Sequence, residues 1–261
     1  MQNTGTIIKL SLLLSFVFLF TQCASNKKNA AVHKQVLSYK LDTLTLVDQS
    51  RNREIPVAIY QPENEKNLNK IPIIFNHGYG GNKGGDYLIY SYLTTFLASE
   101  GYFVMSIQHE LPTDELLAMT GKLQETRRPN WGSGAKNIYS VLQQIKTSYP
   151  DLLYNKLVVI GHSNGGDMAA LFTQQYPTLV HKIITMDNRR MALPRTSAPQ
   201  VFTLRSNDYP ADDGVLPTDE DAKKYKMTVQ FTNINHSNMD DDATTAERSY
   251  ITEKILAYLK Q

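Results

Sequence analysis

Residues Val158–Ala170 read VVIGHSNGGDMAA, and this stretch decides the fold. The apolar run Leu157–Ile160 has the length of a strand buried on both faces, and a helix-compatible sequence follows it. Between the two lies Gly-His-Ser-Asn-Gly, with Ser163 at its centre. A serine held in a strained turn brings the flanking main chain close together, which favours glycine at positions 161 and 165. The stretch therefore predicts a strand, a sharp turn that presents Ser163, and a helix.

The same pattern also arises in ordinary glycine-rich turns, because glycine and serine are common turn residues. The alternative interpretation is therefore a surface turn whose serine has no chemical role. The strand and helix patterns on either side favour a nucleophile elbow, in which Ser163 is the reactive residue, since such an elbow requires both.

Strand patterns alternate with helical ones along the rest of the chain. A hairpin is predicted from the alternation in 36–47 and 54–60, with its turn at 48–52. The later predicted strands are Ile71–Phe75, Tyr102–Ile107, Leu157–Ile160, Val180–Met186, Gln200–Leu204 and Met227–Phe231, and the predicted helices are Asp86–Ser99, Gly134–Thr147, one after Ser163 that stops at Tyr176-Pro177, and Thr244–Tyr258. This order predicts an α/β fold with a mostly parallel, doubly wound sheet and antiparallel N-terminal strands.

Two connections bear on the shape of a site at the carboxyl ends of the strands. Residues 108–132 form the longest predicted irregular connection and contain Trp131, the only tryptophan, so we expect them to build part of a substrate wall. The connection between the strands that end at Met186 and begin at Gln200 is short. It leaves no room for a large cap domain, and we expect an open site.

The overall composition suits one globular domain with a short leader. The chain has 261 residues, of which 41% are hydrophobic and 20% charged, and its formal net charge is +2. No cluster of Lys and Arg interleaved with aromatic residues is present, so nothing predicts nucleic-acid binding. No convincing metal-ligand spacing is present either, and the sequence predicts no metal or other cofactor.

The N-terminus reads as an export signal. Lys9 precedes the apolar run Leu10–Phe20, which is shorter than the roughly 20 residues that a membrane-spanning helix needs. The single cysteine, Cys23, follows this run, and the segment resembles a bacterial lipoprotein signal, with Gln22 in place of the usual small residue. We therefore predict a signal in 1–23 with lipidation at Cys23, a polar tether in 24–34, a catalytic domain in 35–261, and anchoring to a membrane of the cell envelope. The alternative is an ordinary signal peptide that is cleaved near Ala24, in which Cys23 has no role.

Three polar residues follow predicted strands in the order Ser163, Asp208, His236. The carboxyl ends of parallel strands converge on one crevice, so a serine nucleophile, an acid and a base can meet there. Serine is a poor nucleophile at neutral pH, so His236 must take its proton while an acid orients and stabilises the imidazole. Asp208 is the preferred acid, Asp213 the second choice and Asp187 the third.

The predicted strand that ends at Phe75 runs into Asn76-His77-Gly78-Tyr79-Gly80-Gly81. Glycine lets the main chain approach a substrate closely, and a tetrahedral intermediate needs fixed N–H donors. The N–H groups of Tyr79 and Asn164 are the candidate donors, while His77 is expected to order its own loop. The alternative is a flexible glycine loop with no chemistry.

Taken together, these motifs resemble the α/β-hydrolase family over residues 36–260. The opening Arg51–Val57, the following Ile59–Pro62, and the HGYGG and GHSNGG loops look most like serine esterases near the dienelactone hydrolases and the platelet-activating-factor acetylhydrolases. The resemblance implies hydrolysis of small-molecule or lipid-like carboxylic esters through an acyl-enzyme. An amidase or peptidase with the same triad, or a surface-anchored binding protein without chemistry, are the alternatives.

Overall fold

The structure is a computed structural model that describes Met1 and residues 38–261. The described part of the chain from residue 38 onward lies within one compact unit, Val36–Gln261. The predicted lipidation site Cys23, the tether 24–34 and the signal beyond Met1 lie outside the described residues.

Eight strands form one sheet with the order β1-β2-β4-β3-β5-β6-β7-β8. The strands are β1 Tyr39–Asp48, β2 Arg53–Pro62, β3 Pro72–Asn76, β4 Phe103–Ile107, β5 Val158–His162, β6 Lys182–Met186, β7 Gln200–Arg205 and β8 Thr228–Phe231. The first two strands pair antiparallel with each other, β2 pairs antiparallel with β4, and the remaining pairs are parallel. The predicted mostly parallel sheet with antiparallel N-terminal strands is confirmed.

Helices cover both faces of this sheet. They are α1 Ser91–Ser99, α2 Leu123–Thr126, α3 Arg128–Ser148, α4 Ser163–Gln175, α5 Asp219–Tyr225 and α6 Thr245–Lys260, with short 3-10 turns at Glu65–Asn67, Asp86–Leu88, Tyr154–Lys156, Pro177–Leu179 and His236–Met239. The apolar faces of α3 and α4 pack on one side in a core cluster that includes Trp131, Ile138 and Phe172. Those of α1 and α6 pack on the other side with Leu93, Leu97 and Ile255.

The register of the central strands brings several strand ends level. Asn76 at the end of β3 lies opposite Gly161 of β5, and His162 lies opposite Met186 at the end of β6. Met186 in turn lies opposite Leu204 of β7. The residues that leave β3, β5, β6 and β7 therefore emerge at one edge of the sheet, where a site in this class of fold is expected.

The predicted start of the helix at Gly134 is wrong, because α3 begins at Arg128. Pro129 stands in its first turn, where the missing N–H costs no hydrogen bond. Gly134 lies inside this helix. Its lack of a side chain is explained by α4, which passes close to it, since a Cβ atom there would overlap the side chain of Met168. Part of the segment 108–132, including Trp131, is therefore helical rather than irregular.

No large cap domain is present among the described residues. The chain from the end of β6 to the start of β7 spans residues 187–199 and contains neither helix nor strand. Within residues 38–261, no helix combines the length and apolar character needed to cross a bilayer.

Candidate active site

The turn between β5 and α4 has the strained geometry that its sequence predicted. Ser163 has a φ of 52°, in the left-handed region that few non-glycine residues adopt. A Cβ atom at position 161 would overlap the main chain of Gly165, and one at position 165 would overlap the carbonyl oxygens of Asn76 and His77. The two glycines are thus required by close main-chain approach, and the second one brings the loop after β3 against the serine turn.

A Gly165→Ala substitution tests this close approach. Because the new methyl group would meet backbone carbonyls that cannot rotate away, we expect about 3 kcal/mol or more of destabilisation, or a displaced loop with little remaining activity. Thermal unfolding and ester hydrolysis measure the two effects. Gly132→Ala is the matched control, since it lies in α3 with no atom near the added Cβ and should be neutral or stabilising. An unchanged unfolding temperature and activity in Gly165→Ala would contradict the close approach.

Three side chains form an unbroken line of hydrogen bonds at this edge of the sheet. His236 Nε2 lies 2.9 Å from Ser163 Oγ, and His236 Nδ1 lies 2.5 Å from Asp187 Oδ2. Asp187 is fully buried, whereas the imidazole keeps 15% of its side-chain surface exposed. A hydroxyl, an imidazole and a carboxylate in this arrangement can move a proton from the serine to the histidine.

The structure corrects the preference for Asp208 as the partner of the imidazole. Asp208 Oδ1 accepts the backbone N–H of His236 at 2.8 Å and does not bond to its ring. Asp213, the second choice, lines a separate pocket with Arg128 and Arg190. Asp187, the third choice, occupies the position, because it directly follows β6 in the left-handed conformation with a φ of 55°.

Several donors hold Asp187 as an anion. Ser206 donates its backbone N–H at 3.0 Å and its hydroxyl at 2.8 Å, and Arg205 Nη2 lies 2.9 Å from Oδ1. Burial raises the pKa of Asp187, but the hydrogen bond with His236, the Arg205 charge and the Ser206 bonds outweigh it and lower the pKa to about 2. A carboxylate that stays ionised at neutral pH can stabilise a positive charge on the neighbouring imidazole.

The loop after β3 lies against the serine turn. Gly78 donates its N–H to Tyr90 Oη at 2.9 Å, and the same oxygen lies 2.7 Å from His162 Nδ1. A Cβ atom on Gly78 would lie 3.4 Å from Ser163 Cβ, so the main chain of Gly78 lies beside the turn and Tyr79 follows it directly in the chain. As expected, His77 orders its own loop, since its Nδ1 lies 2.6 Å from the carbonyl oxygen of Gly78.

Asn164 is the other candidate donor. It is the second residue of α4, and N–H groups in the first turn of a helix have no partner within the helix. Its N–H therefore stands at the positive end of the α4 dipole, next to Ser163, where negative charge is stabilised. Asn164 thus lies next to Ser163 in the chain, and Tyr79 follows Gly78, which lies beside the serine turn.

Comparison with known proteins bears on the fold. No family model matches the sequence, and no curated protein matches it. Among solved structures, an esterase from Rhizomucor miehei superposes with a TM-score of 0.61 at 11% identity, covering 87% of this chain and 84% of that one. Brefeldin A esterase, a bacterial homologue of human hormone-sensitive lipase, gives 0.59 at 10% identity over 87% and 78% of the two chains. A protein assigned as a dienelactone hydrolase from Klebsiella pneumoniae gives 0.58 at 14% identity over 86% and 99%.

This chain has the α/β-hydrolase fold. The sheet order, the turn after β5 and the absence of a large cap in the described residues agree with that assignment. Within this α/β-hydrolase fold, residues 38–261 hold no cluster of three or more His, Cys, Asp or Glu side chains arranged to bind a metal ion.

Sequence reasoning missed a network that holds Asn164. Trp131 Nε1–H donates to Asn164 Oδ1 at 2.8 Å, and Asn164 Nδ2 donates to Glu110 Oε1 at 3.0 Å and to Asn130 Oδ1 at 2.9 Å. All three partners come from the segment predicted as a substrate wall, and its single tryptophan was the available signal. The network fixes the first turn of α4 and with it the Asn164 N–H.

Asp167, on the same helix, holds the loop that follows Asp187. Its Oδ1 accepts the backbone N–H groups of Arg190 at 3.0 Å and Met191 at 2.8 Å. Burial raises the pKa of Asp167 to about 6, although these backbone bonds and the Asn188 amide act in the opposite direction. The folded state therefore binds a proton here at pH values where the unfolded chain has lost it.

This raised pKa predicts a pH dependence of stability. Because the folded-state pKa lies above the unfolded value near 4, stability falls as the pH rises through the window between about 4 and 6. Between pH 4 and pH 7, we expect the free energy of unfolding of the native protein to fall by about 2 kcal/mol more than that of Asp167→Asn. Urea unfolding at the two pH values measures the difference. Parallel curves for the two proteins would contradict the raised pKa.

Proposed function

We propose that this protein is a serine hydrolase that cleaves carboxylic esters through an acyl-enzyme. The observation that carries the proposal is the continuous contact from Ser163 Oγ through His236 to the buried Asp187. The esterases among the solved structures with the same fold are consistent with it.

The proposed reaction has two halves. In the first, His236 Nε2 takes the proton of Ser163 as its oxygen attacks the ester carbonyl, and the Asp187 carboxylate stabilises the imidazolium. The N–H groups of Tyr79 and Asn164 stabilise the oxyanion. The C–O bond then breaks, and His236 protonates the departing alcohol. In the second half, water gives its proton to His236 and attacks the acyl-serine, which releases the carboxylic acid and restores the hydroxyl.

Two measurements test this function. Purified full-length protein should hydrolyse short-chain aryl esters, and a fluorophosphonate probe should label Ser163. Matched anilides of the same acids separate an esterase from an amidase or peptidase, which would cleave both series. A protein that neither turns over esters nor reacts with the probe would be a binding protein with the same fold, and the proposal would fail.

We also propose that the mature protein is a lipoprotein anchored to a membrane of the cell envelope through Cys23. The support is the order of a basic residue, an apolar run too short to span a bilayer and a single cysteine. Mass spectrometry of the mature N-terminus should find an acylated Cys23. An unmodified N-terminus at another residue would overturn this proposal.

A further inference from the structure

A pocket of about 310 Å³ lies beside the elements that hold Asn164 and Tyr79. Glu110 and Asn130, which bond to the Asn164 side chain, both line it. So does Leu117, whose N–H donates to Tyr79 Oη at 3.0 Å. The pocket therefore shares its wall with the groups that hold both predicted oxyanion donors, although Ser163 itself does not line it.

One wall of this pocket is a buried carboxylate with an unused oxygen. Glu110 is 3% exposed, and its Oε1 accepts from the amides of Asn164 and Asn130, each at 3.0 Å. No described residue donates a hydrogen bond to Oε2, and this oxygen is not among the fully enclosed polar atoms that lack partners. Since Glu110 lines the pocket, Oε2 is the carboxylate oxygen left for a ligand there.

The nearest histidine supplies no charge to Glu110. His77 Nε2 lies 4.0 Å from Glu110 Oε2, but it accepts the backbone N–H of His109 at 3.0 Å and so carries no proton. Nδ1 of the same ring holds the proton and donates a hydrogen bond to the carbonyl oxygen of Gly78. The contact between His77 and Glu110 is therefore not an ion pair.

No other charged side chain among the described residues bonds to Glu110. Burial, together with the positive charge of Arg53, keeps the pKa of His109 well below its usual value, so this lining residue is neutral. The guanidinium of Arg53 is already engaged by both carboxylate oxygens of Asp114, at 2.8 and 2.6 Å. Neither Lys nor Arg lines the pocket, whereas Asp114 and Glu115 do.

We propose that this pocket binds a primary alkylammonium group of the ester substrate, with the ammonium at Glu110 Oε2. A buried carboxylate oxygen without a donor favours a compact cation with several N–H groups. Leu117, Ala118 and Met168 line the same pocket and supply apolar contacts for a short alkyl stem. The inference rests on the proposed function and narrows its substrate class to esters that carry an amine.

The test compares isosteric pairs of esters on the full-length protein. Ethyl 6-aminohexanoate is paired with ethyl heptanoate, and 6-aminohexyl acetate with heptyl acetate, so the ammonium is on the acid side in one pair and on the alcohol side in the other. A charged hydrogen bond should raise kcat/KM of the amino ester on the order of tenfold over its neutral partner in at least one pair. Ratios near one in both pairs would overturn the proposal.

The variant Glu110→Gln tests whether Glu110 is responsible for the preference for the amino ester. Its amide oxygen can keep the bonds to Asn164 and Asn130 while an NH₂ group replaces Oε2, so the preference for the amino ester should disappear. The readout is the ratio within each variant, which removes any general loss of activity. The matched control Glu115→Gln, an exposed acid of the same pocket, should keep most of the preference. A preference unaffected by Glu110→Gln, or lost equally in both variants, would contradict the assignment.

Binding separates this inference from the proposed function. Calorimetric titration with n-hexylammonium and with n-hexanol does not depend on turnover. If no ester is hydrolysed but hexylammonium binds more tightly than hexanol and only in proteins that keep Glu110, the pocket is as proposed and the proposed function fails. If neutral esters are hydrolysed but the two ligands bind alike, the pocket assignment fails alone.

Discussion

Ser163→Ala should reduce the hydrolysis of short-chain aryl esters by about a million-fold, the loss seen when a triad serine is removed from another hydrolase. The reason is that the proposed reaction forms a covalent acyl-serine, and alanine has no oxygen to form it. The small remaining rate would come from the oxyanion donors and from substrate binding. Steady-state kinetics on 4-nitrophenyl acetate and butyrate measure the effect.

The control shows that loss of activity is not loss of folding. Ser163→Ala should retain the circular dichroism spectrum of the native protein. The substitution removes only the hydroxyl and leaves the left-handed backbone conformation at position 163 unchanged. Ser148→Ala, at the exposed end of α3, should leave both rate and labelling by a fluorophosphonate unaltered. Comparable turnover by Ser163→Ala and the native protein would eliminate the acyl-enzyme mechanism.

Asp187→Asn should lower kcat by about ten-thousand-fold, the cost of the same change in a serine protease triad. The amide cannot stabilise the imidazolium, and it favours the tautomer that leaves Nε2 unable to accept the serine proton. The change also leaves the 2%-exposed Arg205 without its ion-pair partner, so stability should fall by about 3 kcal/mol or more. Kinetics must therefore be measured below the unfolding temperature of the variant.

Asp208→Asn distinguishes the two acids. Its amide oxygen can still accept the backbone N–H of His236, and a single hydrogen bond of this kind contributes about 1 kcal/mol, so kcat should change by less than about tenfold. A large loss in Asp208→Asn with a small loss in Asp187→Asn would reverse the assignment. The pair thus tests the one site residue on which sequence and structure disagree.

The serine turn and the sheet were predictable from short-range patterns. Gly161 reflects a steric limit within five consecutive residues, because a Cβ there would meet Gly165, whereas Gly165 is also required by the loop after β3. The alternation of strands and helices is visible in hydrophobic periodicity. The pairing of Ser163 with His236 followed from the general rule that strand ends converge at one edge of a parallel sheet. The start of α3 was not predictable in this way, because Gly134 is explained only by its contact with Met168.

The choice among Asp187, Asp208 and Asp213 depends on three-dimensional position. Asp187 directly follows β6, whereas Ser206 and Asn207 separate Asp208 from the end of β7. This direct succession to a strand was the one local signal in favour of Asp187. The sequence by itself determined the strand, turn and helix at Ser163, because those constraints act between neighbouring residues. Only the tertiary structure decided which carboxylate meets His236 and which side chains hold Asn164, because strand register and packing bring together residues far apart in the chain.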